Sequence, residues 1–178
     1  MNAKKTVKKF LAPNWVPMII ALLIPFFNAL ALIVLLFNYL PRQFRANKNV
    51  KKLEENGKLE QAAAEILSGD SKRFMNGKVV LSAHYLFCKG NGYVFSYDEL
   101  VWGYRHRQTN SILFIPFMVI DSLYLATKTM KPTQVASMGK DKTDEVKNSL
   151  LEIYKHNPSC LLGYTDEIRA KYKALAKG

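Results

Sequence analysis

The residues of this chain best suited to metal or nucleophilic chemistry are three histidines and two cysteines: His84, His106, His156, Cys88 and Cys160. His84 and Cys88 are four residues apart, which on a β-strand gives them a common face but separates them by about 13 Å. One zinc ion cannot bridge that distance, since its ligands lie within about 2.3 Å. No glycine-rich phosphate loop, Gly-x-Ser-x-Gly elbow or His-Glu-x-x-His motif occurs in the sequence. We therefore predict no metal, no cofactor and no catalytic residues.

An enzyme whose site is assembled only by folding is the alternative interpretation. Its first candidates are His106 with Asp98 or Asp121, because acid–base partners must come within hydrogen-bond reach of each other or of the substrate. The adjacent acids Asp98 and Glu99 are more typical of a solvated turn than of a catalytic pair. We expect a protein that is not an enzyme, and we keep a membrane enzyme as the alternative.

The two cysteines, Cys88 and Cys160, could form one disulfide. The chain lacks the dense cysteine framework of small secreted domains. Both are therefore predicted to be buried thiols in a reducing compartment.

The elements that would position any site begin with an unbroken apolar run from Trp15 to Leu40, WVPMIIALLIPFFNALALIVLLFNYL. As a helix, its 26 residues would be about 39 Å long. A bilayer core is roughly 30 Å thick, so the run predicts one transmembrane helix over residues 15–40. Trp15 and Tyr39 would then lie in the aromatic belts at its two ends.

Basic residues flank the run on both sides. Residues 1–14 contain four lysines and no acid. The group after the run has no acid either and comprises Arg42, Arg45, Lys48, Lys51 and Lys52. Each basic side chain near an anionic membrane surface contributes an attraction of about 1 kcal/mol. These five side chains are the predicted membrane-surface site, and we expect no nucleic-acid partner despite the sequence pI of about 9.7.

Charge bias around the run sets the predicted topology. Five bases follow it and four precede it, which favours a cytoplasmic C-terminal domain. The predicted localisation is therefore the cell membrane, single-pass, with the soluble domain in the cytoplasm. Asn28 within the run could pair with another helix, so a structural subunit of a membrane complex is a further alternative.

The rest of the chain changes from helical to extended patterning and back. Residues 48–68 predict two short helices interrupted by Asn56-Gly57. Two further helices follow Gly139, the first capped by Asp141 or Thr143 and the second by Thr165. Short strands are predicted at Val79–Leu81, Tyr85–Phe87, Tyr93–Phe95, Val101–Arg107, Ser122–Thr127 and Thr133–Ala136. Lys89-Gly90-Asn91-Gly92 predicts a hairpin turn, and Ile112–Ala126 is interpreted as two buried strands around a turn.

Alternation along Val101–Arg107 provides a second candidate surface. Successive strand residues point to opposite faces, so Arg105 and Arg107 point one way and Trp102 and Tyr104 the other. The aromatic-basic set Trp102, Tyr104, Arg105 and Arg107 could meet an anionic lipid or a protein partner. The alternative is that both aromatic rings face the core while the arginines are solvated.

Three segments carry a resemblance to a known family. Residues 95–104, FSYDELVWGY, resemble the strand, turn and aromatic strand of bacterial pleckstrin-homology-like domains. Residues 81–87, LSAHYLF, resemble the preceding hairpin, and residues 157–165, NPSCLLGYT, resemble the tail of uncharacterised membrane-anchored members. The resemblance implies a bent, seven-stranded sheet closed by a C-terminal helix. Eukaryotic relatives often bind phosphoinositides, but a dedicated phosphate loop is not evident here.

Together these features predict an α+β protein. Its parts would be a basic tail (1–14), a transmembrane helix (15–40), a basic helical linker (41–71) and a PH-like strand domain with two C-terminal helices (72–178). The predicted function is a membrane-anchored, non-enzymatic interaction module. Its partners would be the membrane, anionic lipid head groups, or an unidentified membrane or cytosolic protein.

Overall fold

A computed structural model describes residues 2–23, 32–112, 115–141 and 143–176. The chain forms two compact units. The first, called here the helical unit, comprises Met1–Gly69 and Phe87–Val94; the second, the sheet unit, comprises Asp70–Leu86 and Phe95–Gly178. The predicted tail, the predicted linker up to Gly69 and the first hairpin turn thus belong to one unit.

The helical unit is built on helices with one apolar face each. Its helices are α1 (Ala3–Leu11), α2 (Val16–Leu23), α3 (Leu40–Glu55) and α4 (Leu59–Leu67). Helix α1 starts where the Asn2 side chain accepts a hydrogen bond from Lys5 N, and it buries residues at every fourth position, Ala3, Val7 and Leu11. Helices α3 and α4 contribute Val50 and Ile66 to the core. The predicted break at Asn56-Gly57 is confirmed, with Gly57 at φ 66°.

The predicted transmembrane helix is wrong. Within residues 2–23, 32–112, 115–141 and 143–176, no helix is both long and apolar enough to cross a bilayer. A straight helix would separate residues 15 and 39 by about 36 Å. Instead the rings of Trp15 and Tyr39 are 5.4 Å apart, and Trp15 Nε1 donates a hydrogen bond to Gln43 Oε1 at 3.4 Å. This finding also contradicts the single-pass membrane localisation.

The strands of the described residues form two four-stranded sheets, ordered β1-β2-β3-β4 and β7-β6-β5-β8. The first contains β1 (Lys72–Phe74), β2 (Val79–Leu81), β3 (Tyr85–Cys88) and β4 (Tyr93–Ser96). The second contains β5 (Leu100–Ile112), β6 (Ile115–Thr127), β7 (Thr133–Gly139) and β8 (Leu161–Leu162). The predicted hairpin turn between β3 and β4 is confirmed. The α+β class is confirmed too, but Ile112–Ala126 is not two strands around a turn, because β6 is one strand antiparallel to β5.

Helices α5 (Glu145–His156) and α6 (Asp166–Leu175) contact opposite faces of β5. Gly103 lies under α5, where an added Cβ would come within 2.9 Å of the Leu150 side chain. On the other face, Trp102 packs in a cluster with Tyr172 of α6. The predicted cap of α6 is confirmed, since Thr165 Oγ1 accepts from Ile168 N at 3.2 Å.

Two of the segments that resemble PH-like domains hold each other in place. The Asn157 side-chain amide donates to the backbone oxygens of Tyr97 and Leu100 at 2.7 and 2.9 Å. Trp102 Nε1 donates to Gly163 O at 2.7 Å. These contacts give the motif residues structural roles, and membership of the PH-like family stays a prediction.

Candidate functional site

Two helical segments of the helical unit expose apolar side chains. They are α2 and residues 32–39, of which Leu35–Tyr39 forms a π-helical turn; we call them the apolar arms. Phe37 is 75% exposed, although a phenyl ring normally gains about 1.5–3 kcal/mol by burial. The exposed side chains of the arms are Val16, Ile19, Ile20, Leu32, Ile33, Leu36 and Phe37. Exposed apolar side chains grouped on two segments in this way make them a candidate interaction surface.

The arms meet the rest of the unit where the aromatic ends of the run touch. Asn14 Oδ1 accepts a hydrogen bond from Val16 N at 3.1 Å, which starts α2. Trp15 bonds Gln43 of α3 and contacts Tyr39. The first arm, α2, follows α1 in the chain, and the second ends at Tyr39, directly before α3. The arms therefore lie between the two basic helices in sequence.

The sequence around the arms is positively charged without interruption by acids. Residues 1–53 contain nine lysines and arginines and no aspartate or glutamate. Lys8 and Lys9 lie in the last turn of α1, which ends at Leu11 before the arms begin at Val16. Arg42 lies near the start of α3, immediately after them. The arms are thus flanked by cationic helix ends.

The five predicted membrane-surface residues all lie on α3, but their environments differ. Arg45 fastens the β3–β4 turn, since its Nε donates to Asn91 O at 3.3 Å and its guanidinium lies 4.6 Å from the Tyr93 ring centroid. Lys48 is exposed, and Lys51 forms a weak exposed pair with Glu55 at 3.7 Å. Arg42 is half-buried and Lys52 is exposed.

A groove between α1 and α3 adds two lysines that the sequence interpretation left in a tail. It has a volume of about 350 Å³ and is lined by Lys4, Lys8, Asn47, Val50, Lys51 and Glu54. Lys4 Nζ donates to both Glu54 carboxylate oxygens, at 3.0 and 2.8 Å. The four-residue spacing of Ala3, Val7 and Leu11 was the available signal that residues 3–11 form a packed helix.

The second predicted surface is divided between the two faces of β5. Trp102 and Tyr104 are 2% and 8% exposed, and their rings lie 4.7 Å apart. Both also pack against Tyr164, at 5.7 and 4.8 Å. The structure therefore does not bring these rings together with Arg105 and Arg107, and the alternative interpretation of the rings as core fits their burial.

Arg105 and Arg107 converge on one carboxylate. Asp121 is fully buried, and its Oδ1 accepts from Arg105 Nε at 2.8 Å and from Arg107 Nε at 2.9 Å. Asp121 Oδ2 accepts from the Asp141 backbone N at 2.7 Å. Burial alone would raise the pKa of Asp121, but the hydrogen bonds from both arginines and from Asp141 outweigh it and hold that pKa below its usual range.

His106 lies apart from the acids proposed as its catalytic partners. Its ring packs edge-on against Tyr124, with centroids 5.6 Å apart, on the aromatic face of β5. Asp121 binds the arginines on the opposite face, and Asp98 lies in the short turn Tyr97–Glu99. Among the described residues, no group of three or more His, Cys, Asp or Glu side chains could hold a metal ion.

The two cysteines are free and buried, as predicted. Burial raises the pKa of both thiols, that of Cys160 to about 12. Neither thiol has the lowered pKa that a reactive cysteine requires.

Comparison with known proteins adds no relative: no protein-family model, curated protein or solved structure matches this chain. The site is therefore argued from its own chemistry.

Proposed function

We propose that this protein is a non-enzymatic module that binds the surface of anionic lipid bilayers. The apolar arms enter the acyl boundary of one leaflet without crossing it, and the bases of α1 and α3 face the head groups. The observation that carries the proposal is the exposed apolar surface of the arms, flanked by helices that contain nine bases before the first acid, Glu54.

The energetics of interfacial binding support this combination. Helices that lie in an interface bury an apolar face about 5–10 Å deep, and their affinity is the sum of apolar burial and attraction to anionic lipids. Each side chain of the arms that moves from water to acyl chains contributes about 1–2 kcal/mol. Each base near the surface adds about 1 kcal/mol.

The same combination favours lipid over other partners. A nucleic acid would satisfy the bases but would offer no apolar phase for Phe37 and Ile20. A protein interface core is depleted in charge and especially in lysine. A bilayer surface presents an apolar phase and anionic groups within a few ångströms of each other.

Vesicle flotation of the full chain tests the proposal. We expect it to float with phosphatidylcholine vesicles containing phosphatidylglycerol, and to float less with phosphatidylcholine alone. Raising the salt from about 0.1 M to about 1 M shortens the Debye length from about 10 to about 3 Å and should weaken binding to the anionic vesicles. Equal flotation with both vesicle types, or none with either, would contradict the proposal.

A matched pair of leucine variants separates the arms from general hydrophobicity. Leu36 in the arms is 56% exposed and Leu175 at the end of α6 is 49% exposed. Leu36→Ser should weaken vesicle binding by about tenfold, which corresponds to about 1.4 kcal/mol of lost apolar burial. Leu175→Ser should leave it unchanged. An equal loss in both variants would remove the arms as the lipid-binding element.

A further inference from the structure

The groove between α1 and α3 has the dimensions of a small-ligand site. Its volume of about 350 Å³ lies at the lower end of the roughly 300–1,000 Å³ typical of such sites. That size fits one polar head group rather than a whole lipid. In the chain the arms follow α1 and precede α3, and Lys8 and Asn47 are the groove residues nearest to them in sequence on each helix.

Helical spacing builds the two walls. Lys4 and Lys8 are four residues apart on α1, and Asn47 and Lys51 are four apart on α3, so each pair lies on one helix face. Val50, only 2% exposed, lies with them on the α3 side. The fully buried Val7 and Ala46 belong to the same two helices, so each of these helices is also packed in the core.

Charge in the groove is strongly cationic. Three lysines line it against one carboxylate, Glu54. Glu54 holds Lys4 through both of its oxygens. Within the part of the chain that the structure describes, Lys8 has no carboxylate partner, and the pair of Lys51 with Glu55 is long at 3.7 Å and exposed.

Asn47 supplies an oriented donor. Its Oδ1 accepts a hydrogen bond from Gln43 Nε2 at 3.2 Å. This bond orients the amide, and the two hydrogens on Nδ2 are left to donate to a ligand acceptor. The groove thus combines two ammonium groups and an amide donor, a set suited to the oxygens of a phosphate.

We propose that this groove binds the phosphate of an anionic lipid head group, with Lys8, Lys51 and the Asn47 amide donating to its oxygens. Glu54 positions Lys4 at the edge of the site. This inference rests on the proposed lipid-surface function and names the group that this surface recognises. The chemistry recognised is a phosphate ester, so the test must separate a lipid head group from a soluble ester.

The test begins with soluble glycerol phosphate, titrated into the full chain and followed by NMR. We expect saturable shifts of the Asn47 side-chain amide, lost in Lys8→Gln and retained in Lys9→Gln. Lys9 is the control because it lies next to Lys8 on α1 and carries the same charge but does not line the groove. Loss of the shifts in both variants, or their absence from the native chain, would overturn the groove as a site.

The second experiment measures flotation of the same variants with vesicles containing phosphatidylglycerol. Loss of one positive charge should weaken the binding of Lys9→Gln to these vesicles by at most about fivefold, the equivalent of about 1 kcal/mol. The loss of vesicle binding in Lys8→Gln should be at least several times larger than the loss in Lys9→Gln. Equal losses would overturn the lipid head group as the ligand, even if the soluble ester binds.

The two experiments also distinguish a failure of this inference from a failure of the proposed function. A chain that floats but shows no saturable shift at Asn47 overturns the groove alone. A chain that shows the shift but does not float overturns both the lipid-surface function and the head-group assignment. Leu36→Ser should bind vesicles about tenfold more weakly while keeping the Asn47 shifts.

Discussion

Gly92 is tightly constrained within the helical unit. Its φ of 76° lies in the left-handed region, and an added Cβ would come within 2.6 Å of Arg42 O and 2.8 Å of Ala46 N. Its own backbone N donates to Leu11 O at 3.0 Å, and its oxygen accepts from Asn49 Nδ2 at 2.6 Å. One glycine therefore lets the β3–β4 turn fit against both α1 and α3.

Replacing this glycine should destabilise the protein markedly. Gly92→Ala adds left-handed strain of about 1–2 kcal/mol and steric overlap of about 1–3 kcal/mol, so we expect a loss of about 3 kcal/mol in the free energy of unfolding by urea. Gly57→Ala is the control, because Gly57 has a similar φ of 66° but nothing within 4 Å of an added Cβ. Only the strain should appear there. Equal losses in the two variants would show that the close approach is not maintained in solution.

Arg45 has a structural role, although its charge and position in the sequence predict a role in binding a membrane surface. The sequence places it among five bases beside an apolar run, and the structure uses it to hold Asn91 and Tyr93. Charge alone cannot distinguish the two roles, because the partner lies 46 residues away. Charge-reversal variants of the bases on α3, made to test binding, should therefore keep Arg45 unchanged.

At the scale of elements, Asp121 fastens two strands and a helix. It lies on β6 and binds Arg105 and Arg107 of β5 as well as the backbone N of Asp141. Asp141 in turn accepts from Glu145 N and Val146 N at 2.9 Å each, which caps the start of α5. A single buried carboxylate thus ties the β5–β6 pair to the segment that starts α5.

Removal of that carboxylate should cost stability in a pH-dependent way. Asp121→Asn removes the buried negative charge that both arginines share, while Arg105 keeps Asp144 at 3.1 Å, so we expect a loss of about 3 kcal/mol at pH 7. The pKa of Asp121 is lowered in the folded state, so its contribution is complete above the unfolded value of about 3.9 and is lost as the pH falls below that value through the folded pKa. Urea unfolding at several pH values measures this.

The control for this change is Asp166→Asn, since Asp166 is exposed on the first turn of α6. The difference between native chain and Asp121→Asn should be constant from pH 7 to about pH 5 and should shrink in stronger acid. A difference that grows as the pH falls would contradict the direction of the pKa shift.

Local pattern predicted most elements and little of the candidate site. The alternation through Trp102, Gly103 and Tyr104 and the cap at Thr165 depend on residues close in sequence, and both were predictable. The contact between the two ends of the apolar run was not, because hydropathy measures burial preference and carries no information on whether Trp15 and Tyr39 meet. The groove was missed for the same reason, since Lys8 and Lys51 come from helices 43 positions apart in the sequence.

At the scale of the whole molecule, the two units are interleaved in sequence. The chain passes from one to the other after Gly69, after Leu86 and after Val94. Each unit contains one free, buried cysteine, Cys88 in the helical unit and Cys160 in the sheet unit. The thiols therefore report on the opening of each unit separately.

Thiol labelling in single-cysteine variants should distinguish the units. With Cys160→Ser, only Cys88 remains, and with Cys88→Ser, only Cys160. Both should react slowly in native buffer, because burial raises the pKa of each thiol and blocks access. Adding Gly92→Ala should accelerate labelling of Cys88 by about a hundredfold, given its expected cost. The labelling of Cys160 should change much less, and equal acceleration would mean that the units open together.

The position of the β3–β4 turn within the helical unit also sets the order in which this protein can mature on the ribosome. Gly90 N and Gly92 N, which bond Phe10 O and Leu11 O, belong to residues synthesised after Gly69. About 25 further residues must be added before Val94 is made, which takes about 1–5 s at 5–20 residues per second. During that interval the N-terminal helices lack the turn that completes their core, and the apolar arms are already synthesised. Translation speed therefore determines how long the nascent chain presents this surface to chaperones or lipid before the unit can close.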